Sequence, residues 1–185
     1  FEMVVRNANP GSVMPAYHDI DGIPCTSNYS LVTDLLKKQW GFDGLIVADY
    51  EAIVQLVNDH HVADDMAEAA ALAFNAGMDI ELPGFTVFKE GLIEALYRGL
   101  VTDEALDRSV LRILEEKLRQ GVFEHPYIQE DAIDIGTAKN HALAREVAEK
   151  SLVLLKNDGT LPLKKGMKVA LIGALADHPY AMFGG

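Results

Sequence analysis

Hydrophobic and polar residues follow two different periods along residues 1–123. Three short apolar runs predict strands, at Ser12–Pro15, Leu45–Ala48 and Met78–Leu82. Between and after them, apolar residues recur three and four positions apart. This spacing predicts helices over about Asn28–Trp40, about Ala63–Ala76, around Phe88–Leu96, and from Thr102 to Gly121. Strands that alternate with helices build a parallel sheet with crossover helices, so the pattern predicts an α/β fold.

Residues that stabilise helix ends stand where these predicted helices begin and end. Asn28 suits the N-cap position, because its side-chain oxygen accepts a hydrogen bond from an N–H group of the first turn. The helix that begins at Thr102 has Asp103 and Glu104 in its first turn, where the helix dipole favours anions. Gly41, Gly77 and Gly121 follow the last helical positions, where a residue in the left-handed conformation commonly ends a helix. The helix boundaries are therefore predicted from two independent signals.

A polar segment at residues 124–140 interrupts the pattern, and it predicts an interdomain linker. After it come a predicted helix over about Thr137–Lys150, the apolar stretch SLVLLKN, an Asp-Gly turn at Asp158 and the strand-like KVALIG. These elements read as the beginning of a second α/β unit over residues 141–185. Since the last predicted strand has no later partner, we expect the chain to be a piece of a larger protein.

Composition excludes some classes of partner. The chain has 185 residues, of which 49% are hydrophobic and 24% charged, as in ordinary globular proteins. Its net charge of -12 repels a phosphate backbone, so no nucleic-acid partner is expected. No apolar run reaches the about 18 to 20 residues of a membrane helix, so no membrane partner is expected either. No signal peptide marks a compartment, and the sequence assigns none.

Polar residues at the ends of the predicted strands are the candidate chemistry, because catalytic side chains of parallel α/β barrels lie at that edge. Tyr17 and His18 follow the first strand, Asp49 and Tyr50 the second, and Glu81 lies near the end of the third. In GLIVADY, an ionisable carboxylate directly follows four apolar residues, and a buried charge needs a partner or a function. A plain loop cap at Asp49 is the alternative, and the residues alone leave both readings open.

No metal site and no cofactor are predicted. His60 and His61 precede Asp64 and Asp65, but adjacent histidines point apart, so a solvated loop or helix start is expected there. The lone Cys25 excludes an internal disulfide and does not form a thiolate metal site by itself. VALIGALAD lacks the Gly-x-Gly-x-x-Gly of dinucleotide-binding strands.

Several ordered motifs carry a resemblance to a known family. The segment SVMPAYHDIDGIPCTSNYSLVTDLLKKQWGFDGLIVADY is similar to the signature of glycoside hydrolase family 3, the β-glucosidase and β-xylosidase family. NAGMDIELPG resembles that family's last barrel strand, DRSVLRILEEKLRQGVFEHPY its closing helix, and AREVAEKSLVLLKNDGTLPL with KVALIGALAD its linker and second domain. The resemblance implies the C-terminal part of a catalytic TIM-like (β/α)8 barrel at 1–123, a linker at 124–140, and an incomplete α/β sandwich domain at 141–185.

The same resemblance implies roles for four residues. Asp49 matches the nucleophile of these retaining enzymes, which form a glycosyl-enzyme intermediate. Tyr17 matches the tyrosine beside the nucleophile, where its phenol holds the carboxylate or the sugar. Tyr50 stands where the family usually has Trp, in the aromatic wall against which a pyranose stacks. Met14 lies near the same subsite, although a core methionine is the generic reading of that residue type.

Three positions depart from the family pattern. Ala48 replaces the usual Ser before the nucleophile, Tyr50 replaces Trp after it, and His18 stands where Asn is common. None of these changes removes the carboxylate. They affect the hydrogen bonds expected around it and the sugar preference.

A retaining glycosidase needs a second carboxyl group about 5 to 5.5 Å from the nucleophile, as acid and then base. Glu51 is too close along the chain to face Asp49 across a sugar, and Glu81 is expected to be a helper only. In the family, the acid/base comes from the second domain, beyond Gly185, and a sugar-binding Lys-His pair comes from before Phe1. The 185-residue piece alone is therefore predicted to be inactive.

The implied function is a retaining β-glycoside hydrolase that releases a terminal β-D-glucose from oligosaccharides or glucosides. Its expected partners are the carbohydrate substrate and the remainder of the same protein or a complementary chain. A β-xylosidase of the same family is the alternative. An N-acetylhexosaminidase is disfavoured, because that branch often stops at the barrel, whereas this chain continues through LVLLKN. A non-catalytic carbohydrate-binding or assembly subunit, completed by a partner chain, is the alternative without enzymatic activity.

Overall fold

The computed structural model describes residues 1–130 and 133–178, and the chain divides into two compact units. The first unit is Phe1–Ile128 and the second is Gln129–Gly185. The boundary falls within the segment 124–140 that the sequence predicts as a linker. The assignment of the domains stays a prediction, and residues 131–132 and 179–185, which belong to its linker and last domain, lie outside the described residues.

Helices and short strands alternate in the first unit. The helices are α1 (Glu2–Ala8), α2 (Gln55–Asn58), α3 (Met66–Ala76), α4 (Leu92–Tyr97) and α5 (Asp103–Arg119), with π-helical stretches at Ser30–Gln39 and Val87–Gly91 and a 3-10 turn at Cys25–Ser27. The strands are β1 (Ser12–Val13), β2 (Asp19–Ile20), β3 (Ile23–Pro24) and β4 (Leu45–Ile46). The predicted α/β class is confirmed.

Parallel pairing joins the three predicted strand regions. β1 pairs with β4 in parallel, with Ser12 opposite Leu45, and Val47 forms a parallel bridge to Ile80. The regular ladders are shorter than predicted, and the expected strand Met78–Leu82 is reduced to that bridge. Asp79 N and Ile80 N both donate to Ile46 O, at 2.8 and 3.2 Å, and this bulge-like sharing interrupts the ladder.

The core of the first unit lies between this small sheet and its helices. The largest fully buried side chains are Ile46, Ile53, Leu56, Met78, Val32 and Val87. Helix α3 contributes a nearly continuous set of small buried residues: Ala67, Ala69, Ala70, Ala71, Ala73 and Ala76. Small side chains let neighbouring backbones approach closely, so a Cβ atom added at Gly91 would lie 2.6 Å from Met66 O. The Ala-rich helix therefore packs as an internal element.

The predicted helix ends are largely confirmed. Leu31 N donates to Asn28 Oδ1 at 3.0 Å, and Ala105 N donates to Thr102 Oγ1 at 3.2 Å, as expected of N-cap residues. Gly77 has a φ of 114° and ends α3. These caps act within a few residues, which is why the local sequence predicts them.

The start of α3 differs from the prediction. The apolar pattern begins at Ala63, but the helix begins at Met66. Asp65 is its N-cap, since the Asp65 carboxylate accepts a hydrogen bond of 2.9 Å from Glu68 N. Ala63 is buried all the same, which explains why periodicity alone extends the helix too far.

An antiparallel hairpin of β2 and β3 was not predicted. Asp19 lies opposite Pro24, and the turn residues Asp21 and Gly22 have φ values of 53° and 80°. Positive φ at both central residues is the requirement of a tight two-residue hairpin turn, and Asp-Gly is a preferred sequence for it. That dipeptide is the signal from which the hairpin was predictable.

The second unit contains helix α6 (Ala138–Ser151), close to the predicted helix at Thr137–Lys150. Thr137 caps it, accepting from Asn140 N at 3.0 Å. The predicted strand KVALIG, residues 168–173, forms no ladder with any described residue. A strand needs a neighbour for its N–H and C=O groups, so an apolar run without one stays irregular. No helix among the described residues has the length and hydropathy required to span a membrane.

Candidate active site

The candidate nucleophile lies where the second strand region leaves the core. β4 is fully buried, and Ala48, which follows it, is 1% exposed. Ala48 N donates to Ile80 O at 2.8 Å, so the pairing continues to the residue before Asp49. Asp49 itself is only partly buried. The apolar run therefore ends in an aspartate because the chain surfaces there, at the carboxyl edge of the parallel pair.

Asp49, Tyr50 and Glu51 form a turn that is held on two sides. Asp49 Oδ1 accepts a hydrogen bond of 2.7 Å from Tyr50 N, which orients the carboxylate. Glu51 N donates to Leu82 O at 3.1 Å. Glu51 has a φ of 60°, a left-handed conformation that costs a non-glycine residue about 1 kcal/mol or more. The surrounding hydrogen bonds maintain this strained turn directly behind the carboxylate.

Tyr17 lies beside this turn. Its Oη donates a hydrogen bond of 2.8 Å to Tyr50 O, 33 residues along the chain. Desolvation raises the pKa of Tyr17 above its ordinary value of 10.0, and the neighbouring Asp49 carboxylate raises it further. The phenol is therefore a protonated hydrogen-bond donor at neutral pH. The structure thus brings Tyr17, Asp49 and Tyr50 together, as the sequence predicted, while their catalytic roles remain predictions.

The other predicted contacts to sugar are on the surface of the same edge. Tyr50 is 58% exposed, and Met14, which directly follows β1, is 48% exposed. The generic reading of Met14 as a core residue is wrong, because a core side chain would be covered. An exposed phenol ring next to Asp49 in the chain and an exposed thioether at the end of β1 are suited to contact with a ligand, but they are not enclosed.

The carboxylate of Glu81, which the sequence suggests as a helper to Asp49, is bound by backbone groups of the following segment. It accepts hydrogen bonds from Val87 N at 2.9 Å and Phe88 N at 2.6 Å. It therefore caps the helical segment that begins at Val87, and its oxygens are engaged there. The position of Glu81 near a strand end is predicted from the sequence. The contact of the following segment with its carboxylate is not, because it depends on how the loop folds back.

The two adjacent histidines have separate contacts, and neither is part of a metal cluster. His60 Nε2 lies 2.8 Å from Tyr17 O, whereas His61 Nδ1 lies 2.8 Å from Val57 O in the preceding helix α2. In the described part of the chain, no group of three or more His, Cys, Asp or Glu residues is arranged to hold a metal ion. The contact of His60 with Tyr17 was missed from sequence, because it joins residues 43 positions apart.

A buried ionic network holds β4 at Ile46, which precedes Asp49 in the same strand region. The side chain of Asp79 is fully buried, and its Oδ2 accepts from Ile46 N at 3.0 Å. Its Oδ1 accepts from Ser109 Oγ at 2.9 Å and from the guanidinium of Arg112 in α5. Lys37 Nζ lies 3.5 Å from Oδ2. Burial lowers the pKa of Lys37, and the charge of Asp79 partly offsets this effect.

A concavity of about 410 Å³ in the first unit lies away from this edge. Its lining includes Tyr29, Leu72 and Leu100, and none of the four predicted site residues. The convergence of chemically capable groups, and not the shape of a cavity, therefore identifies the candidate site.

Comparisons with known proteins identify a family model and relatives that this chain resembles. The model of the glycosyl hydrolase family 3 N terminal domain matches residues 1–116. A protein named beta-xylosidase from Formosa agariphila is 35% identical over 94% of this chain and 25% of its own length. A periplasmic beta-glucosidase from Salmonella typhimurium is 36% identical over 96% of this chain and 24% of its own length. The chain thus spans about a quarter of the length of these relatives.

Solved structures agree with the sequence relatives. A beta-glucosidase involved in saponin metabolism from intestinal bacteria superposes with a TM-score of 0.72 and 37% identity. The match covers 83% of this chain and 20% of that protein. At 37% identity, this structural similarity indicates a shared family as well as a shared fold.

Proposed function

The chain belongs to glycosyl hydrolase family 3, and we propose that Asp49 is the nucleophile with which the complete protein hydrolyses β-glycosides with retention of configuration. The observation that carries this proposal is the position of Asp49. Its carboxylate follows the buried strand β4, is oriented by Tyr50 N at 2.7 Å, and lies beside the protonated phenol of Tyr17. Within this proposal, residues 1–123 are the C-terminal part of the family's TIM-like barrel.

The chemistry needs two carboxyl groups. An oxygen of Asp49 attacks the anomeric carbon while the bond to the leaving oxygen breaks, and that oxygen takes a proton from the second carboxyl group. The product is a glycosyl ester on Asp49. The second group, now a base, removes a proton from water, which attacks the same carbon and breaks the ester bond. The sugar leaves with its original configuration and Asp49 is regenerated.

The second carboxyl group is supplied from outside this chain in our proposal. Glu51 belongs to the same strained turn as Asp49, and the oxygens of Glu81 are bound by backbone N–H groups. Neither residue is suited to protonate a leaving group across the sugar ring. We therefore expect the 185-residue piece alone to show no turnover.

The proposed substrate releases a terminal β-D-glucose. Terminal β-D-xylose is the second candidate, because several relatives of similar identity are named beta-xylosidase. The two sugars differ by the hydroxymethyl group on C5. The ratio of kcat/KM for an aryl β-glucoside and an aryl β-xyloside, measured on the complete protein, decides between them.

Substitution of Asp49 by Asn tests the proposed function. In the complete protein, Asp49→Asn keeps the shape of the side chain but removes the nucleophile, and kcat is expected to fall by about three orders of magnitude or more. Asp43→Asn is the matched control, since Asp43 is an exposed acid just before the same strand region. Turnover in Asp49→Asn equal to that of Asp43→Asn would refute the assignment.

A further inference from the structure

His60 has a contact that the proposed chemistry does not yet use. The residue is half-buried in the loop after α2, and its Nε2 lies 2.8 Å from the carbonyl oxygen of Tyr17. A carbonyl oxygen only accepts hydrogen bonds, so Nε2 carries the proton and donates. The bond joins two loops that are 43 residues apart in sequence. The loop that contains Tyr17 also contacts the turn that carries Asp49, because Tyr17 Oη donates to Tyr50 O.

The contact continues from His60 to the carboxylate through Tyr17. The backbone of Tyr17 is held by His60, and the side chain of Tyr17 donates from Oη to Tyr50 O at 2.8 Å. Tyr50 N in turn donates to Asp49 Oδ1 at 2.7 Å. Tyr17 accepts through its backbone carbonyl and donates through its phenol, and Tyr50 accepts through its carbonyl and donates through its N–H. A displacement of the Tyr17 backbone therefore shifts its phenol, and a displacement of the phenol shifts Tyr50. Three successive hydrogen bonds therefore relate the imidazole ring to the orientation of the carboxylate.

His61 provides an internal comparison. Its Nδ1 lies 2.8 Å from Val57 O, four residues earlier, and the residue is exposed with a φ of 52°. That bond closes a local turn and reaches no residue of the candidate site. Adjacent histidines in one loop thus differ in the nitrogen they use and in what that nitrogen holds.

We propose that His60 is a positioning residue for the nucleophile, acting by holding the Tyr17 backbone so that the Tyr17 phenol keeps the Asp49 turn in its reactive orientation. The proposal rests on the proposed function, because it requires Asp49 to be the nucleophile. His60 contacts no reacting atom in it. Its contribution is geometric, and small displacements of a reacting group reduce the rate of the chemical step strongly.

Substitution of His60 by Gln and by Asn distinguishes the positioning role from a general requirement for a polar residue at this position. The amide nitrogen of Gln extends about as far from the backbone as Nε2 of His, whereas that of Asn extends only about as far as Nδ1. His60→Gln therefore retains the donor to Tyr17 O, and His60→Asn and His60→Ala lose it. His61→Asn is the matched control, because Asn preserves a donor at the Nδ1 position and tolerates the left-handed backbone there.

The experiment measures kcat, KM and thermal unfolding of these four variants of the complete protein, with an aryl β-glucoside and an aryl β-xyloside. We expect kcat to fall about tenfold in His60→Ala and His60→Asn, with KM within about twofold of wild type. His60→Gln and His61→Asn are expected to stay within about twofold of wild type in both parameters. The rate of covalent labelling by a 2-fluoro glycoside is expected to follow kcat.

Three results would overturn the proposal. They are equal kcat in all variants, a loss in His60→Gln as large as in His60→Ala, and a loss of the fold in every His60 variant, which would make the residue part of the fold only. If His60→Ala alone unfolds, the difference in kcat between His60→Gln and His60→Asn tests the proposal. Wild-type turnover and the effect of Asp49→Asn in the same assays test the proposed function separately. A wrong proposed function and a wrong role for His60 therefore give different results.

Discussion

Replacement of Asp79 by Asn is expected to loosen the strand that leads to Asp49. In the folded chain, the fully buried carboxylate of Asp79 accepts hydrogen bonds from Ile46 N, Ser109 Oγ and Arg112, and it pairs with Lys37. An Asn side chain is uncharged and presents a donor where one of these donors now points. The substitution therefore leaves two partly buried cations without their common anion.

The size of the effect follows from the burial of the three charges. Removing one member of a buried ion pair costs about 3 to 5 kcal/mol. The side chains of Lys37 and Arg112 keep 17% and 29% of their surface exposed, so water recovers part of that loss. We take the lower end, about 3 kcal/mol. Since each 1.4 kcal/mol is a factor of ten, the opening of β4 is expected to become about a hundredfold more frequent.

Hydrogen exchange detected by mass spectrometry measures this opening at the peptide that contains Ile46, in the complete protein. The control is Asp107→Asn, an exposed acid on α5 whose loss is expected to change stability by less than about 0.5 kcal/mol. An exchange rate in Asp79→Asn within about threefold of that control would refute the reasoning. It would show that the buried network does not hold β4.

Other predictions concern the turn and the phenol. Tyr17→Phe is expected to lower kcat about tenfold with little change in thermal unfolding, because it removes the bond to Tyr50 O; an unchanged kcat contradicts this. Asp49→Asn is expected to lower the pKa of Tyr17, since it removes a charge that raises it while the effect of desolvation remains. Ultraviolet titration of each protein against its Tyr17→Phe counterpart measures this, and an unchanged midpoint contradicts it. Gly44→Ala is expected to destabilise the first unit by about 1 to 3 kcal/mol, because the added Cβ would lie 2.4 Å from Gly11 O. Gly84→Ala, whose nearest contact would be 3.8 Å, is the control for thermal unfolding, and equal stability of the two variants contradicts the argument.

Helix ends and the position of Asp49 were predictable because their causes are local. The caps of Asn28 and Thr102 act on N–H groups three residues away, and Gly77 ends α3 by its own backbone conformation. The apolar run before Asp49 likewise shows where a buried strand meets solvent. In each case, a few residues that are close in sequence determine the feature.

Other features depend on partners that are distant in sequence. The extent of the strands was overestimated because pairing depends on the neighbouring strand, and KVALIG has no such neighbour among the described residues. Asp79 meets Ser109 and Arg112 through a contact that spans about thirty residues, and His60 meets Tyr17 across 43. A buried aspartate within the apolar run MDIEL needs a partner, but no sequence pattern identifies which residue supplies it.

Covalent trapping of the nucleophile tests the central claim most directly. The complete protein is incubated with a 2-deoxy-2-fluoro-β-glucoside that carries a good leaving group, then with the xylose analogue, and its intact mass and peptides are measured. We predict one added fluoro-sugar per chain, on the peptide that contains Asp49 and on that carboxylate. A stable label on any other carboxylate, or turnover of an ordinary substrate with no label from either reagent, would contradict the account.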